Sequence, residues 1–236
     1  MRRQLGGDLV QVRPVRLALR GGEVHRHLVA YKAAPSQFVR AVACERLGGL
    51  LAEFLVDLLA AEPNEMRGSG PSVTVVATVP SSGAGRASWH GVHPLAGVVR
   101  DACARAGRSG PPERPRLHVD PELLYRGPGR LGHLLASPDG FLATPRSRRE
   151  QGRARILVVD DLYTSGARAQ SAARACARAG LTVAAIVPLG RLVDASDLEI
   201  VARARAPRVA PRCATHPSPA EMPGGRRATS LAARPS

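Results

Sequence analysis

The sequence predicts an α/β fold with a mostly parallel, doubly wound sheet. Two unbroken apolar runs, residues 73–79 and 156–159, have the composition of strands buried on both faces. Each run is followed by a short loop of small residues and then by a segment with helical periodicity. Strands that alternate with helices in this way form parallel sheets. We expect a core domain at residues 63–200, a small N-terminal hood at residues 1–62 and a disordered tail at residues 201–236.

Three helices are predicted from apolar residues that recur at three- and four-residue spacing. The first keeps Glu53 and Asp57 on its polar face and has the apolar residues Leu47, Leu50, Leu51, Phe54, Leu55, Leu58 and Leu59. The second ends at Gly107 and has the apolar residues Leu95, Val98, Val99, Ala102, Cys103 and Ala106. The third ends at Gly180 and has a stripe of small residues suited to close packing on a sheet, namely Ala169, Ala172, Ala173, Cys176 and Ala177.

Shorter segments complete the predicted order of elements. Residues 117–119 and 181–189 are predicted to be further strands, and His25 and His27 alternate in a predicted strand near the N-terminus. Residues 107–155 contain seven prolines, which interrupt this interval repeatedly. Beyond the strand at residues 117–119, the sequence gives no prediction for this interval.

The formal net charge of +15 is concentrated at the two ends of the chain. Residues 1–30 have a net charge of +4 and residues 201–236 have +6, so the long middle part has only +5. Aromatic residues make up 3% of the chain, too few for a platform on which single-stranded nucleic acid could stack. If the chain binds nucleic acid, we expect weak, salt-sensitive binding through its basic termini.

The cysteines and the apolar runs exclude two further classes. Cys44, Cys103, Cys176 and Cys213 are isolated, with no C-x-x-C pair for a structural metal, and two of them fall on helix stripes as core residues. No apolar run reaches the length of about eighteen residues that a membrane span requires, and no apolar signal region follows Arg2-Arg3. We expect a cytoplasmic protein without a membrane partner.

The most informative motif begins where the second apolar run ends. Asp160 and Asp161 follow residues 156–159 and are expected at the carboxyl end of a strand, where open α/β sheets bind ligands. Residues 164–168 then form a turn with hydroxyls and a glycine at a helix start, where backbone N–H groups and the helix dipole favour a phosphate. The carboxylates suit vicinal hydroxyls of a ribose. One turn can thus hold both ends of a ribose 5-phosphate.

The paired acids have two other interpretations. An apolar strand followed by two acids also opens the receiver domains of two-component signalling, but only 76 residues follow Asp160, fewer than such a domain requires. The only lysine of the chain, Lys32, also lies far upstream of any receiver site. In the second interpretation the acids merely end a strand and bind nothing. The turn with hydroxyls that follows them favours a ligand site instead.

Residues 156–168 resemble the phosphoribosyl-diphosphate-binding loop of the type I phosphoribosyltransferases. In that family the two acids bind the ribose hydroxyls, so the resemblance implies that Asp160 and Asp161 are the catalytic acids. It also implies that the 5-phosphate is bound by Thr164, Ser165, Gly166, Ala167 and Arg168, which we call the phosphate loop. The chain departs from the family at Arg168, where many members have Thr, and at Tyr163, where an aliphatic residue is commoner. Arg168 could add charge to the phosphate site.

A second loop follows the first apolar run and has the composition of an anion-binding loop. Residues 80–86 are small and flexible enough for close backbone approach to an anion, and they end in a basic residue. In type I phosphoribosyltransferases the loop after the first core strand binds the diphosphate. The resemblance implies this role for Ser81, Ser82, Gly83 and Arg86, and we call residues 80–86 the diphosphate loop.

The N-terminal part is similar to the ComF-like branch of the same family. Tyr31-Lys32 precedes a leucine-rich helix, as in that branch, and the likeness runs loosely over residues 28–192 without the zinc ribbon of the branch. The resemblance implies a glycosyltransferase that uses phosphoribosyl diphosphate with Mg²⁺ and a small-molecule acceptor, a nucleobase or an amine, and it leaves a homodimer open. Mg²⁺ would be held largely by substrate oxygens, with no protein cage. The alternative is a non-catalytic module that senses phosphoribosyl diphosphate or a nucleotide and binds DNA through its basic ends.

Overall fold

The computed structural model describes residues 9–65, 73–80, 94–109, 117–131, 134, 136–144, 155–194 and 196. All of these residues lie in the first of the two units into which the chain divides, Met1–Leu198.

The described elements alternate between strands and helices along most of the chain. In chain order they are β1 Arg16–Leu19, α1 Glu23–Ala33, α2 Gln37–Glu65, β2 Val73–Thr78, α3 Pro94–Ser109, β3 His118–Asp120, β4 Leu124–Arg126, β5 Phe141–Ala143, β6 Arg155–Tyr163, α4 Ala167–Arg178 and β7 Thr182–Val193.

Five of the strands form one sheet in the order β1-β7-β6-β2-β3, and every neighbouring pair in it is parallel. The remaining two strands, β4 and β5, form a separate antiparallel pair. The predicted α/β class with a mostly parallel sheet is therefore confirmed.

Helices cover both faces of the parallel sheet. Successive side chains of a strand point to opposite faces, and accordingly Val76 and Leu157 pack with the buried residues of α1, α2 and α3. Val75 and Ile156 pack on the other face, with the small residues of α4 and with the β4 and β5 pair. Coverage of both faces explains why residues 75–77 of β2 and 156–159 of β6 are apolar without alternation.

The chain leaves the two central strands toward opposite faces. After β2 it continues into α3 on one face and then to β3, whereas after β6 it continues into α4 on the other face and then to β7. A crevice opens at the carboxyl ends of neighbouring strands whose connections diverge in this way, and open α/β sheets bind their ligands there. The boundary between β2 and β6 is such a place.

The N-terminal segment, which we assigned to a hood, contributes an edge strand to this sheet. β1 pairs with β7. The residues that precede β1 also lie beside β7, because the N–H of Arg13 donates to the carbonyl of Ile186 at 2.8 Å. The Gln170 side chain of α4 exchanges two hydrogen bonds with the Val10 backbone, at 3.2 and 3.0 Å. The described part of residues 1–62 thus belongs to the same layers as the core.

The predicted core stripes are largely correct. All six predicted apolar residues of α3 are buried, as are Ala169, Ala172, Ala173 and Cys176 of α4. Gly180 ends α4 as predicted, with φ of 77° and with its N–H donating to the carbonyl of Ala177 at 3.0 Å. A positive φ is readily adopted by glycine, which has no Cβ.

Three local predictions were wrong. His25 and His27 lie in the helix α1, so their alternation did not mark a strand. Gly107 lies inside α3, which continues to Ser109, because an isolated glycine weakens a helix by only about 1 kcal/mol and does not end it. Ala177 is exposed, and Ala175 is buried in its place.

No helix in the described ranges is both long enough and apolar enough to cross a membrane.

Candidate ligand-binding site at the carboxyl edge of the sheet

Buried polar side chains are concentrated at one end of the molecule. Within the described ranges, the buried polar and charged residues are Thr78, Asp160, Asp161, Gln170 and Ser171. They lie at the carboxyl ends of β2 and β6 or in the first turns of α4. Burying polar groups costs free energy unless they are hydrogen-bonded, so this clustering singles out one region of the protein for chemistry.

The two acids lie among the last four residues of β6, at its carboxyl end as predicted. β6 continues to Tyr163 because β7 pairs with it that far, Tyr163 lying opposite Arg191. On the other side of β6 the strand pairing ends earlier, because β2 ends at Thr78, which lies opposite Val159. Asp160 and Asp161 therefore follow the last residue that β2 covers, at the step between the two strands.

Asp161 is held by side chains of α1. The Tyr31 hydroxyl donates a hydrogen bond to Oδ2 of Asp161 at 2.6 Å, and the Lys32 ammonium forms an ion pair with the same oxygen. The backbone N–H of Leu162 donates to Oδ1 at 2.7 Å. Burial alone would raise the pKa of Asp161, but the ammonium and the hydrogen bonds hold it below its ordinary value. Asp161 is a buried anion.

Asp160 has a different environment. The N–H of Asp161 donates to its Oδ1 at 3.0 Å, and Asp160 lines a small open pocket together with residues 162 and 164–169. Burial and then the Asp161 carboxylate raise the pKa of Asp160 to about 7, although Arg168 opposes the shift. The pKa values of the two adjacent acids are therefore shifted in opposite directions, and Lys32 forms its ion pair with Asp161.

The phosphate loop forms the rest of this pocket. Gly166 precedes α4 with φ of 77°, and a side-chain carbon there would overlap the phenol ring of Tyr163. The N–H of Ala167 donates to the Ser165 hydroxyl at 3.4 Å. The first turn of a helix leaves backbone N–H groups without helical acceptors, and Thr164 to Ala169 all line the pocket. The structure therefore brings Asp160 together with all five residues of the predicted phosphate loop.

The side chain of Arg168 extends to the end of β2. Its Nη2 donates to the carbonyl oxygen of Pro80 at 2.7 Å. Pro80 is the first residue of the predicted diphosphate loop, so Arg168 connects the two predicted loops. The other residues predicted there, Ser81, Ser82, Gly83 and Arg86, lie outside the described residues.

Tyr31, Lys32 and Tyr163 were not recognised from the sequence as site residues. Tyr31 and Lys32 lie 130 and 129 positions before Asp161, and no local pattern connects residues so far apart. One signal was available, because a single lysine in a chain whose other basic residues are all Arg suggests a specific position. Tyr163 was noted as a departure from the family pattern, without the prediction that its ring covers Gly166.

A wider groove of about 640 Å³ lies along α1 and α2 and is lined by both signs of charge. Its basic residues are Arg16, Arg46 and Arg105, and its acidic residues are Glu23, Glu45 and Glu53. Because these charges balance, the groove offers no net attraction to an anion, unlike the helix start at the phosphate loop.

A divalent metal fits this site only if the ligand supplies most of the oxygens. Within the described ranges no three His, Cys, Asp or Glu side chains converge, and Asp161 already engages Lys32 and Tyr31. Asp160 is then the protein carboxylate nearest to a metal in the pocket. Mg²⁺ is commonly held in this way, by one or two carboxylates and by substrate phosphates.

A comparison of the sequence with protein-family models found no match, and a search of curated proteins found no significant match. The interpretation of the site consequently depends on its geometry and on the sequence motif.

Proposed function

We propose that this protein is a phosphoribosyltransferase of the type I, ComF-like kind, which transfers the phosphoribosyl group of phosphoribosyl diphosphate to a nucleobase or an amine. The single observation on which the proposal depends is that Asp160 and residues 164–168 line one pocket at the divergence between β2 and β6. Carboxylates suit sugar hydroxyls, and backbone N–H groups at a helix start suit the 5-phosphate.

The geometry supports the assignment of different residues to different parts of the ligand. The phosphate loop would bind the 5-phosphate, Asp160 would accept hydrogen bonds from the ribose hydroxyls, and the loop that begins at Pro80 would receive the diphosphate. Arg168 would place positive charge between the two loops, since its guanidinium reaches Pro80. Mg²⁺, when bound through substrate oxygens near Asp160, would supply charge neutralisation at the diphosphate.

In the transfer, the bond between the anomeric carbon and the diphosphate oxygen breaks, and the electron pair leaves with the diphosphate. The acceptor nitrogen forms the new bond and loses its proton to solvent or to a base. Positive charge develops on the ribose ring, and the ionised form of the Asp160 carboxylate would stabilise it. The protein contributes mainly orientation and electrostatics.

Calorimetric titration with phosphoribosyl diphosphate, in the presence and absence of Mg²⁺, tests the binding part of the proposal. Diphosphate release in the presence of nucleobases and amines then tests transfer. We expect Asp160→Asn to weaken binding, whereas Asp57→Asn, on the exposed face of α2, should leave it unchanged. If the wild-type protein does not bind phosphoribosyl diphosphate, the proposal is wrong. If it binds but transfers to no acceptor, the sensing module becomes the better interpretation.

A further inference from the structure

The two acids of the motif have different numbers of internal partners. Oδ2 of Asp161 receives the Tyr31 hydroxyl at 2.6 Å and the Lys32 ammonium, and Oδ1 receives the N–H of Leu162 at 2.7 Å. Both oxygens of Asp161 are therefore engaged by groups of the protein itself. Tyr31, Lys32 and Leu162 thus fill three of the roughly four acceptor positions of the Asp161 carboxylate, and a sugar hydroxyl that needed more than the remaining one would compete with these groups.

That competition is unfavourable for a neutral hydroxyl. Lys32 pairs with Asp161 as an ion, and charge-assisted hydrogen bonds are roughly twice as strong as those between neutral groups. Tyr31 is 1% exposed and Asp161 is 9% exposed, so the pair is shielded from water. Burial and then Asp161 raise the pKa of Tyr31 well above its ordinary value, which keeps its hydroxyl a donor.

Asp160 is buried too, at 6% exposed, but it lines the pocket of the phosphate loop, whereas Lys32 and Tyr31 contact Asp161. Oδ1 of Asp160 accepts a backbone N–H at 3.0 Å. This N–H belongs to Asp161, and the side chain of Asp161 is held by Tyr31 and Lys32 of α1. A path of direct contacts leads from Tyr31 and Lys32 through Asp161 to the Asp160 carboxylate.

We propose that Asp161 is a positioning residue, which Tyr31 and Lys32 hold so that its backbone N–H orients Asp160, and that Asp160 is the one acid of the pair that contacts the ligand's sugar hydroxyls. The proposal rests on the proposed function, because it assigns roles within the same ribose 5-phosphate site. It differs from the expectation that both acids bind the sugar.

The test compares two ligands that share a phosphate and differ in the sugar, ribose 5-phosphate and inorganic phosphate, by calorimetric titration. We expect Asp160→Asn to lower the affinity for ribose 5-phosphate about tenfold or more, the effect of a lost hydrogen bond to a charged group. Tyr31→Phe should lower that affinity several-fold and leave the affinity for inorganic phosphate unchanged. Adding Tyr31→Phe to Asp160→Asn should cause no further loss, because Tyr31 acts through Asp160.

Tyr125→Phe is the matched control, since it removes the same hydroxyl from a tyrosine that is 46% exposed on β4, and it should change neither affinity. If Tyr31→Phe fails to fold, Lys32→Met tests the same proposal, because Lys32 also holds Asp161. The Lys32 side chain is 39% exposed, and removal of its charge should produce the same sugar-dependent loss.

Three outcomes overturn the proposal. Additive losses for Tyr31→Phe and Asp160→Asn would show that Asp161 contacts the sugar directly. Equal losses for both ligands would show that Tyr31 merely supports the fold. In either case the ribose phosphate site itself stands, whereas a wild-type protein that binds neither ligand removes both this inference and the proposed function.

Discussion

Arg168, in the first turn of α4, donates a hydrogen bond of 2.7 Å from its guanidinium to the carbonyl oxygen of Pro80, which follows β2. The contact joins the last residue of the phosphate loop to the first residue of the diphosphate loop. It also fixes a positive charge at the step where β2 has ended and β6 continues. The residue at which the chain departs from the family motif is therefore a structural connection between the two predicted anion loops.

Arg168→Met should weaken binding of phosphoribosyl diphosphate more than binding of ribose 5-phosphate. The variant loses a charge-assisted hydrogen bond, worth about 1.5–3 kcal/mol, at the start of the diphosphate loop, while the backbone of the phosphate loop is kept. Arg174→Met, on a later turn of the same helix, is the control. Titration calorimetry with both ligands gives the comparison, and equal weakening for the two would contradict a specific role at the diphosphate loop.

Asp160→Asn should stabilise the protein at alkaline pH. Folding raises the pKa of Asp160 to about 7, so its ionised form is disfavoured in the folded state. The resulting destabilisation is absent below about pH 4, the ordinary value for Asp, grows as pH rises to 7, and is then constant. We expect the variant to be more stable by roughly 1–3 kcal/mol at pH 8 and equal to wild type at pH 4. Urea denaturation at both pH values, with Asp57→Asn beside it, measures this; a pH-independent difference would refute it.

Gly166→Val should destabilise the protein and abolish phosphate binding. A residue with a side chain at φ of 77° costs about 1–2 kcal/mol, and the added carbons would overlap the Tyr163 ring. Gly49→Ala is a suitable control, because Gly49 lies in the middle of α2 with open space around its Cα, and it should gain up to about 1 kcal/mol. Thermal melting and binding of ribose 5-phosphate are the measurements. Normal binding by folded Gly166→Val would place the phosphate elsewhere.

Deletion of residues 203–236 should leave binding of phosphoribosyl diphosphate intact and reduce any retention of nucleic acid. The deleted segment contains seven Arg and one Glu, and no residue of the proposed site. A salt titration of nucleic-acid binding should show a shallower slope of log affinity against log salt for the truncated protein. A DNA-binding module should lose most of its retention, whereas an enzyme should keep its turnover. Loss of ligand binding would mean that the tail supports the domain.

Local periodicity was sufficient to predict most of the elements around the site. The stripe of α3 from Leu95 to Ala106 and the small residues of α4 were found because a helix repeats its buried face every three or four residues. The runs that became β2 and β6 were found because strands covered on both faces are apolar throughout. Periodicity failed at His25 and His27, where two residues at alternate positions are too short a pattern to separate a strand from a helix.

The sequence by itself determined the chemistry that is available at the carboxyl edge: two adjacent acids, a hydroxyl-bearing turn with Gly166 and an arginine at a helix start. Only the tertiary structure decided how the acids differ. Tyr31 and Lys32 meet Asp161 because α1 packs against the sheet that contains β6, and this contact lowers the pKa of Asp161 while Asp160 is left facing the pocket. The reason is physical: two aspartates have equal intrinsic pKa values, and what separates them here is burial together with the charge and hydrogen bond that Lys32 and Tyr31 bring to Asp161.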